Sequence, residues 1–531
     1  MDEINQSEKQ VRTSVTPSKE ERNSCPTPKK IKETKVPLFL AFDVYDFAVY
    51  CMIIFHILIN PYTKSHETSF VNTLHTYLVE GIGNQEDCLQ NTECQNLYQV
   101  EEYFGLVNHS VLPSLAASAL VYPFHYFFVN IRNYSAVISL YIMRVLLGTI
   151  MFLSMRFLKV TLVKSLKSTT IAECFSMLYL VQFNTLSYNS RPIPGTIALV
   201  LANFAVAYWM RRQWAPTISL LMVSAIVFQK EIAILLLALI IVDLFRFKLP
   251  LVKVAIWGAL TVAVTISINC AVEYYLFDTL RFQNLNILGL INIQEENHDS
   301  QFLPWYWYFL YEIPKTVTIA FLITIVSTMI KSKRGIVNKK VLKIICPAFL
   351  FICILSILPI KNVTYALPAF TLFNISGAIG LSKLMSNNSK NKILVTAIFI
   401  FIVIGLCGST AYSSVQIYIE NNKYPDAYAL REFNREYLML QYNSNSTKIR
   451  APPNIHIDKT ASETGINSFL YANLAKEWKY NTTNPLSDEA KLEFTHLFTS
   501  LRKVAGFKLQ EKFEIFSEID FSSQSVLLKP R

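Results

Sequence analysis

Apolar blocks recur along this chain, most of them close to twenty residues long and nearly free of charge, and they dictate the solvent for which the fold is built. About twenty helical residues span a hydrocarbon core, and candidate spans lie at 36–60, 111–129, 136–155, 170–186, 195–210, 216–229, 231–246, 250–277, 304–330, 344–360, 363–384 and 393–414. None shows the period-two alternation of a barrel strand, so each reads as helix. Hydrophobic residues make up 52% of the 531 and charged ones only 16%, which excludes an ordinary soluble globular protein. The expected class is an all-α polytopic membrane protein.

The net charge of +11 would suit a nucleic-acid binder, but the Lys and Arg residues sit in short runs between apolar blocks. Membrane topology explains that pattern, and no nucleic-acid partner is expected. The basic connector 331–343 and the one holding Lys383, Lys390 and Lys392 read as cytosolic. Lys361, the loop 278–303 and everything after Ser414 then face the lumen, where the sequons at Asn445 and Asn481 also belong. Residues 1–35 are polar, with Thr16-Pro17, Thr27-Pro28 and a basic stretch at Lys29, Lys30 and Lys32. They read as a disordered cytosolic tail, because the block that follows is too long for a signal-peptide core.

A cytosolic start and a luminal end require an odd number of crossings. About eleven are expected, with the two short blocks around Gln229-Lys230-Glu231 as suspects for a broken span. The organisation is therefore a tail at 1–35, a membrane domain at 36–414 and a small luminal domain at 415–531. The loop 61–110 inside the membrane domain is too long for a mere connector. Most of the nine cysteines lie in apolar blocks, where the default is a small buried hydrophobe. Cys88 and Cys94 share a polar loop with no zinc-like His spacing, which favours a short luminal disulfide over a metal site. No internal repeat and no Gly-rich phosphate loop is present, and no metal site is expected; His298 and Asp299 lack a third ligand nearby.

A single long polar loop after the first span fits an enzyme working at the membrane face. A transporter more often shows paired halves and charges at mid-membrane. The loop opens Pro61-Tyr62-Thr63-Lys64-Ser65-His66-Glu67-Thr68, placing an imidazole and a carboxylate just past the span. They are either a proton acceptor with its neighbour or solvated loop residues. Glu231 in the broken span is a costly group at membrane depth and reads as functional. Glu273 can orient a sugar or cap a helix end. Trp305 and Trp307 can stack on a sugar ring or form part of an aromatic belt.

Several segments together carry a resemblance. Pro61-Tyr62-Thr63-Lys64 through His75 is similar, without gaps, to a Pro-Phe-Thr-Lys-Val-Glu-Glu segment and the His that follows it. Ser190-Arg191-Pro192-Ile193-Pro194 resembles Ser-Arg-Thr-Leu-Pro, and Phe228-Gln229-Lys230-Glu231 resembles Phe-Arg-x-Glu. Val272-Glu273-Tyr274-Tyr275 stands where Val-Asp-Ser-Tyr is expected. Pro304-Trp305-Tyr306-Trp307-Tyr308-Phe309 with Ile313-Pro314-Lys315 resembles Pro-x-x-Trp-Tyr-Phe ending in Leu-Pro-Arg. Asn374-Ile375 and Tyr424-Pro425 with Ala429-Leu430 keep the phase. Through these segments the chain resembles the dolichyl-phosphate-mannose-dependent mannosyltransferases of glycosyltransferase family 22, and their α-1,6-transferring branch in N-glycan precursor assembly above all.

The resemblance implies a GT-C membrane fold in the endoplasmic reticulum, with the active site in the lumen. It implies dolichyl phosphate mannose as donor, a dolichyl-diphosphate-linked oligosaccharide of seven mannoses as acceptor, membrane lipids as surroundings and no cofactor. Glu67, beside His66, becomes the expected base of an inverting transfer. Lys64, His109, Arg191, Lys315 and Lys361 become candidates for holding the donor phosphate, and Glu231, Glu273, Trp305 and Trp307 for holding sugar. The chain departs from the family pattern where paired first-loop carboxylates are reduced to His66-Glu67. It departs again where arginines are replaced by His109, Gln229 and Thr364. Sibling transferases of anchor synthesis or of α-1,2 linkage carry His-Pro-Asp-Glu or Asp-x-Asp-Glu in the first loop, patterns absent here. A non-catalytic membrane protein is the remaining alternative.

Overall fold

The computed structural model describes residues 42–79, 81, 112–246, 249–277, 303–329, 339–358, 361–385, 392–422 and 424–443, then 453–458, 465–471, 478–482, 493–499, 504, 506–508, 516–520 and 527–530. Helix α1 (Val44–Ile59) starts on a reciprocal cap: Asp43 accepts from the Asp46 amide at 2.9 Å, and Asp46 accepts from that of Asp43 at 3.3 Å. Such a box satisfies two of the orphan donors at a helix start. The first loop then folds as α2 (Ser65–Val79). Next come α3 (Leu112–His125), which runs on as a π-turn to Ile131, and α4 (Val137–Leu166).

Helix α4 is the spine. Asp46 pairs with Arg156 and Lys159 of α4, while at the other end of α1 the Asn60 carbonyl accepts from Arg144 at 2.7 Å. Residue 46 meets 156 and residue 60 meets 144, so the two helices run antiparallel and are tied at both ends. Hydrogen-bonded pairing is what makes buried charges tolerable at these positions.

Further along are α5 (Thr169–Leu180), the short α6 (Phe183–Tyr188), α7 (Pro194–Met210) and α8 (Trp214–Val223) with a π-turn to Phe228, followed by α9 (Ile232–Leu244) and α10 (Leu251–Phe277). A π-turn at Tyr308–Glu312 leads into α11 (Ile313–Val317) and α12 (Ile319–Met329), then α13 (Lys339–Ile357), α14 (Val363–Met385) and α15 (Lys392–Asn421).

Among the described residues five helical stretches are long and apolar enough to cross a bilayer, and the pair 308–317 and 319–328 adds a sixth if counted as one broken span. Five shorter apolar helices accompany them. The protein is a multi-pass membrane protein. Helix α14 is its centre, with 89% of its apolar window buried, whereas α10 and α15, at 11% and 17%, line the periphery and turn most of their apolar surface to lipid.

The stretch 304–330, expected as one span, is two segments meeting at 111°. Thr318 adopts a positive φ of 51° at the corner, and the freed Val317 carbonyl accepts from Gln182 Nε2 at 3.0 Å. Gln182 is itself locked to Asn374 of α14 by two amide hydrogen bonds of 2.6 and 2.9 Å. A break in a membrane helix survives where side chains re-satisfy its backbone in this way. Close approach of α12 and α14 rests on glycine: a Cβ at Gly380 would lie 2.6 Å from the Cβ of Ser327, the small-residue contact by which membrane helices pack.

After α16 (Pro425–Asn443) the C-terminal region forms a parallel sheet in the order β2 (Lys479–Asn481), β1 (Asn454–Ile457), β3 (His496–Phe498). A separate antiparallel pair joins β4 (Phe516–Asp520) to β5 (Leu527–Pro530). Ile455, Ile457 and Trp478 pack with Leu430 and Tyr62 in one cluster, so this region closes on the first loop. Thr63 donates to the Gly465 carbonyl at 3.2 Å, Asn72 accepts from the Ser468 amide at 3.0 Å, and the Phe469 ring sits edge-on to His75.

Candidate functional site

The first loop turns sharply after α1, and its residues 61–64 run between α4, the turn at 189–193 and the end of α15. Glu67, in the first turn of α2, is fully buried. Its Oε2 accepts from Arg144 Nη2 at 3.1 Å, and its Oε1 accepts from Arg191 Nη1. Both guanidiniums also reach the Tyr62 carbonyl, at 3.2 and 3.4 Å. Burial alone would raise the carboxyl of Glu67, but Arg191 and Arg144 outweigh it and hold the group below the usual carboxylate range. A carboxylate spent on two guanidiniums stays ionised and is a weak proton acceptor until one of them leaves.

Arg191 extends the cluster. Its Nη2 lies 3.8 Å from Glu420 Oε2, and Glu420 Oε1 lies 3.1 Å from Lys64 Nζ. Lys64 also sits over the Tyr188 ring at 4.8 Å. Burial and the nearby Arg191 push the Lys64 ammonium down to about 8 against the pull of Glu420. Two buried polar side chains of α1 border this charge cluster. His56 and Asn60 lie one helical turn apart, 3% and 4% exposed, and among the described residues none hydrogen-bonds the two ring nitrogens of His56 or the side-chain amide of Asn60. Unfilled hydrogen-bonding capacity of that kind marks where water or a ligand belongs.

Lys64, Glu67 and Arg191, expected from sequence, therefore meet. Others do not join them. Lys361 donates to the Leu303 and Leu358 carbonyls at 2.9 and 2.8 Å and so ties the stretch before the π-turn at Tyr308–Glu312 to the end of α13. Lys315 rests on the Tyr311 ring at 5.1 Å. Glu273 accepts from Asn269 one turn earlier in α10. Trp305 is largely exposed, while Trp307 packs edge-on to Tyr308 and tilted against Tyr311 beside the core. Glu231 is buried at the start of α9.

Gln229 and Thr364, two of the positions where arginine was expected, flank Gly195: a methyl there would lie 2.7 Å from Gln229 Oε1 and 3.3 Å from Thr364 Cβ. His109, Cys88, Cys94, His298 and Asp299 lie outside the described residues, as does the side chain of His66. No group of three metal-ligating side chains occurs among the described residues.

Three partners went unrecognised in the sequence. Arg144 stands inside an apolar span, and an ionisable group at that depth is a signal in its own right. Glu420 belongs to α15, which runs to Asn421 instead of ending at 414. Glu312 is buried in the π-turn before α11.

The profile of the Alg9-like mannosyltransferase family matches residues 106–471. The chain belongs to that family. A relative from Arabidopsis thaliana, Dol-P-Man:Man(7)GlcNAc(2)-PP-Dol alpha-1,6-mannosyltransferase, is 23% identical over 495 residues, which is 91% of this chain and 92% of the relative. The Drosophila melanogaster protein of the same description is 24% identical over 496 residues, 90% of this chain and 66% of its own length. Among solved structures, ArnT from Cupriavidus metallidurans in the apo state superposes with a TM-score of 0.48 at 10% identity, over 80% of this chain and 83% of that one. As a member of a mannosyltransferase family, this chain is a glycosyltransferase by ancestry, and its buried cluster is the place to seek the chemistry.

Proposed function

We propose that this family member is a mannosyltransferase of GT-C architecture in the endoplasmic reticulum membrane, transferring mannose from dolichyl phosphate mannose to a seven-mannose lipid-linked oligosaccharide through an α-1,6 linkage. One observation carries the reading. Family-like segments at 61–64, 190–194 and 424–425, far apart in sequence, converge on one buried cluster: Arg191 pairs with Glu67 and Glu420, and the Tyr62 ring packs 6.2 Å from that of Tyr424.

In this reading the donor phosphate displaces Glu420 from Lys64 and Arg191, because a phosphate oxygen accepts a charge-assisted hydrogen bond from either cation. As the bond from the anomeric carbon to phosphate breaks, the phosphate's charge grows from one to two, and fixed cations stabilise that growth. Attack from the opposite face inverts the centre and gives an α-linkage. The scheme calls for no metal or cofactor, since side-chain cations handle the leaving group. Glu67 keeps both guanidiniums in place; for it to take the acceptor's proton itself, Arg191 would first have to leave it.

Cells lacking the protein test the reading. Accumulation of the seven-mannose precursor, corrected by re-expression, is expected. A normal precursor profile, with the loss appearing in anchor synthesis, would move the chain to a sibling reaction.

The depressed Lys64 ammonium sets a pH dependence. Below about pH 8 Lys64 is charged and attracts phosphate; above it the side chain must take up a proton to bind. Donor KM is therefore expected to rise with pH above 8 by up to about tenfold per unit. A Lys64→Arg variant, charged throughout, should show a flat profile over that range. An unchanged slope in the variant would remove Lys64 from donor binding.

A further inference from the structure

Transfer to a hydroxyl needs a group that takes its proton, and Glu67 has both oxygens committed to guanidiniums. A second carboxylate in the same region is free of that commitment. Glu312 ends the π-turn Tyr308–Glu312, is 1% exposed, and makes no ion pair among the described residues. Its one hydrogen bond among them comes from Thr316 Oγ1 to Oε1 at 2.7 Å, and Thr316 is steadied in turn by Asn184 Nδ2 at 3.1 Å. The other carboxylate oxygen accepts nothing from the described residues.

Lys64 of the first loop and Lys315 of its own segment are near enough to act on Glu312 electrostatically, yet Lys64 is held by Glu420 and Lys315 lies on Tyr311. Among the described residues the other titratable groups that interact with it are the phenols of Tyr188, Tyr308 and Tyr412. A buried carboxylate without a cation is costly and is retained where it serves function. Of the three carboxylates here, Glu67 is locked on two arginines and Glu420 is paired with Lys64 and Arg191, whereas Glu312 keeps open lone pairs, a contrast that separates structural anchors from a proton acceptor.

We propose that Glu312 is the proton acceptor of this site; the assignment rests on the transfer reaction proposed above. The acceptor hydroxyl gives its proton to the free oxygen of Glu312 while its oxygen bonds to the anomeric carbon of the donor. The bond from that carbon to the phosphate oxygen breaks, and its electron pair leaves with dolichyl phosphate beside Lys64 and Arg191. The proton then passes from Glu312 to water.

The test uses the purified full-length protein with dolichyl phosphate mannose and the seven-mannose lipid-linked acceptor, comparing wild type, Glu312→Gln and Glu312→Ala. General-base removal lowers kcat by about 10²- to 10⁴-fold, and both variants should show this with donor KM and thermal unfolding unchanged. Added sodium formate should restore part of the kcat of Glu312→Ala. A Gln variant within about threefold of wild-type kcat, or variants that lose stability and donor affinity together without formate rescue, would overturn the assignment and leave Glu312 a structural group of its segment. A wild-type protein inactive with this pair would overturn the transfer reading, and the assignment with it.

Discussion

Glu67→Gln is expected to abolish most of the activity and to destabilise the fold, because it strands two guanidiniums at once. Breaking a buried ion pair by removing one partner costs about 3–5 kcal/mol, and here Arg144 and Arg191 both depend on one carboxylate. With Arg191 released from its fixed position, donor use should fall by about 10²-fold or more. Thermal unfolding in detergent and donor KM are the measurements. A variant with wild-type stability and donor KM, and only kcat reduced, would instead make Glu67 the base.

Arg191→Lys should show how far the site depends on the shape of its cation. The guanidinium serves Glu67 and Glu420 with different nitrogens, a fork that a point ammonium cannot reproduce. Losing one charge-assisted hydrogen bond costs about 1.5–3 kcal/mol, so donor KM should rise by about 10- to 100-fold. The acceptor KM should move little if Arg191 serves the phosphate. A loss confined to acceptor KM would assign the arginine to the other substrate.

Block length and charge distribution were enough to read the polytopic helical class, because bilayer thickness leaves few alternatives. The breaks were not legible. Thr318 carries no turn signature, and its corner exists because Gln182, on a distant helix connection, donates to the exposed Val317 carbonyl and is itself held by Asn374 of α14. At the site, Lys64, Glu67 and Arg191 were found because they lie in short family-like segments. Arg144 and Glu420 were missed for opposite reasons: one was hidden in a span read only for its hydrophobicity, the other lay just beyond a helix end placed too early. Lys361 and Lys315 match the family pattern, yet local partners hold both, a choice of neighbours that spacing along the chain does not encode.

The seam between the first loop and the C-terminal region sets a clock on biogenesis. Thr63 waits for Gly465, which follows it by 402 residues. At about 5–20 residues per second of synthesis, some 20–80 s separate the emergence of the two partners. For that interval α2 has been made without the segment that covers Asn72 and His75, so the nascent site stands open and unfinished. The last fifth of the chain thus acts as a completion check: a polypeptide truncated after α15 would carry its membrane helices and its buried arginines yet lack the piece that seals them, and would remain a client of folding surveillance.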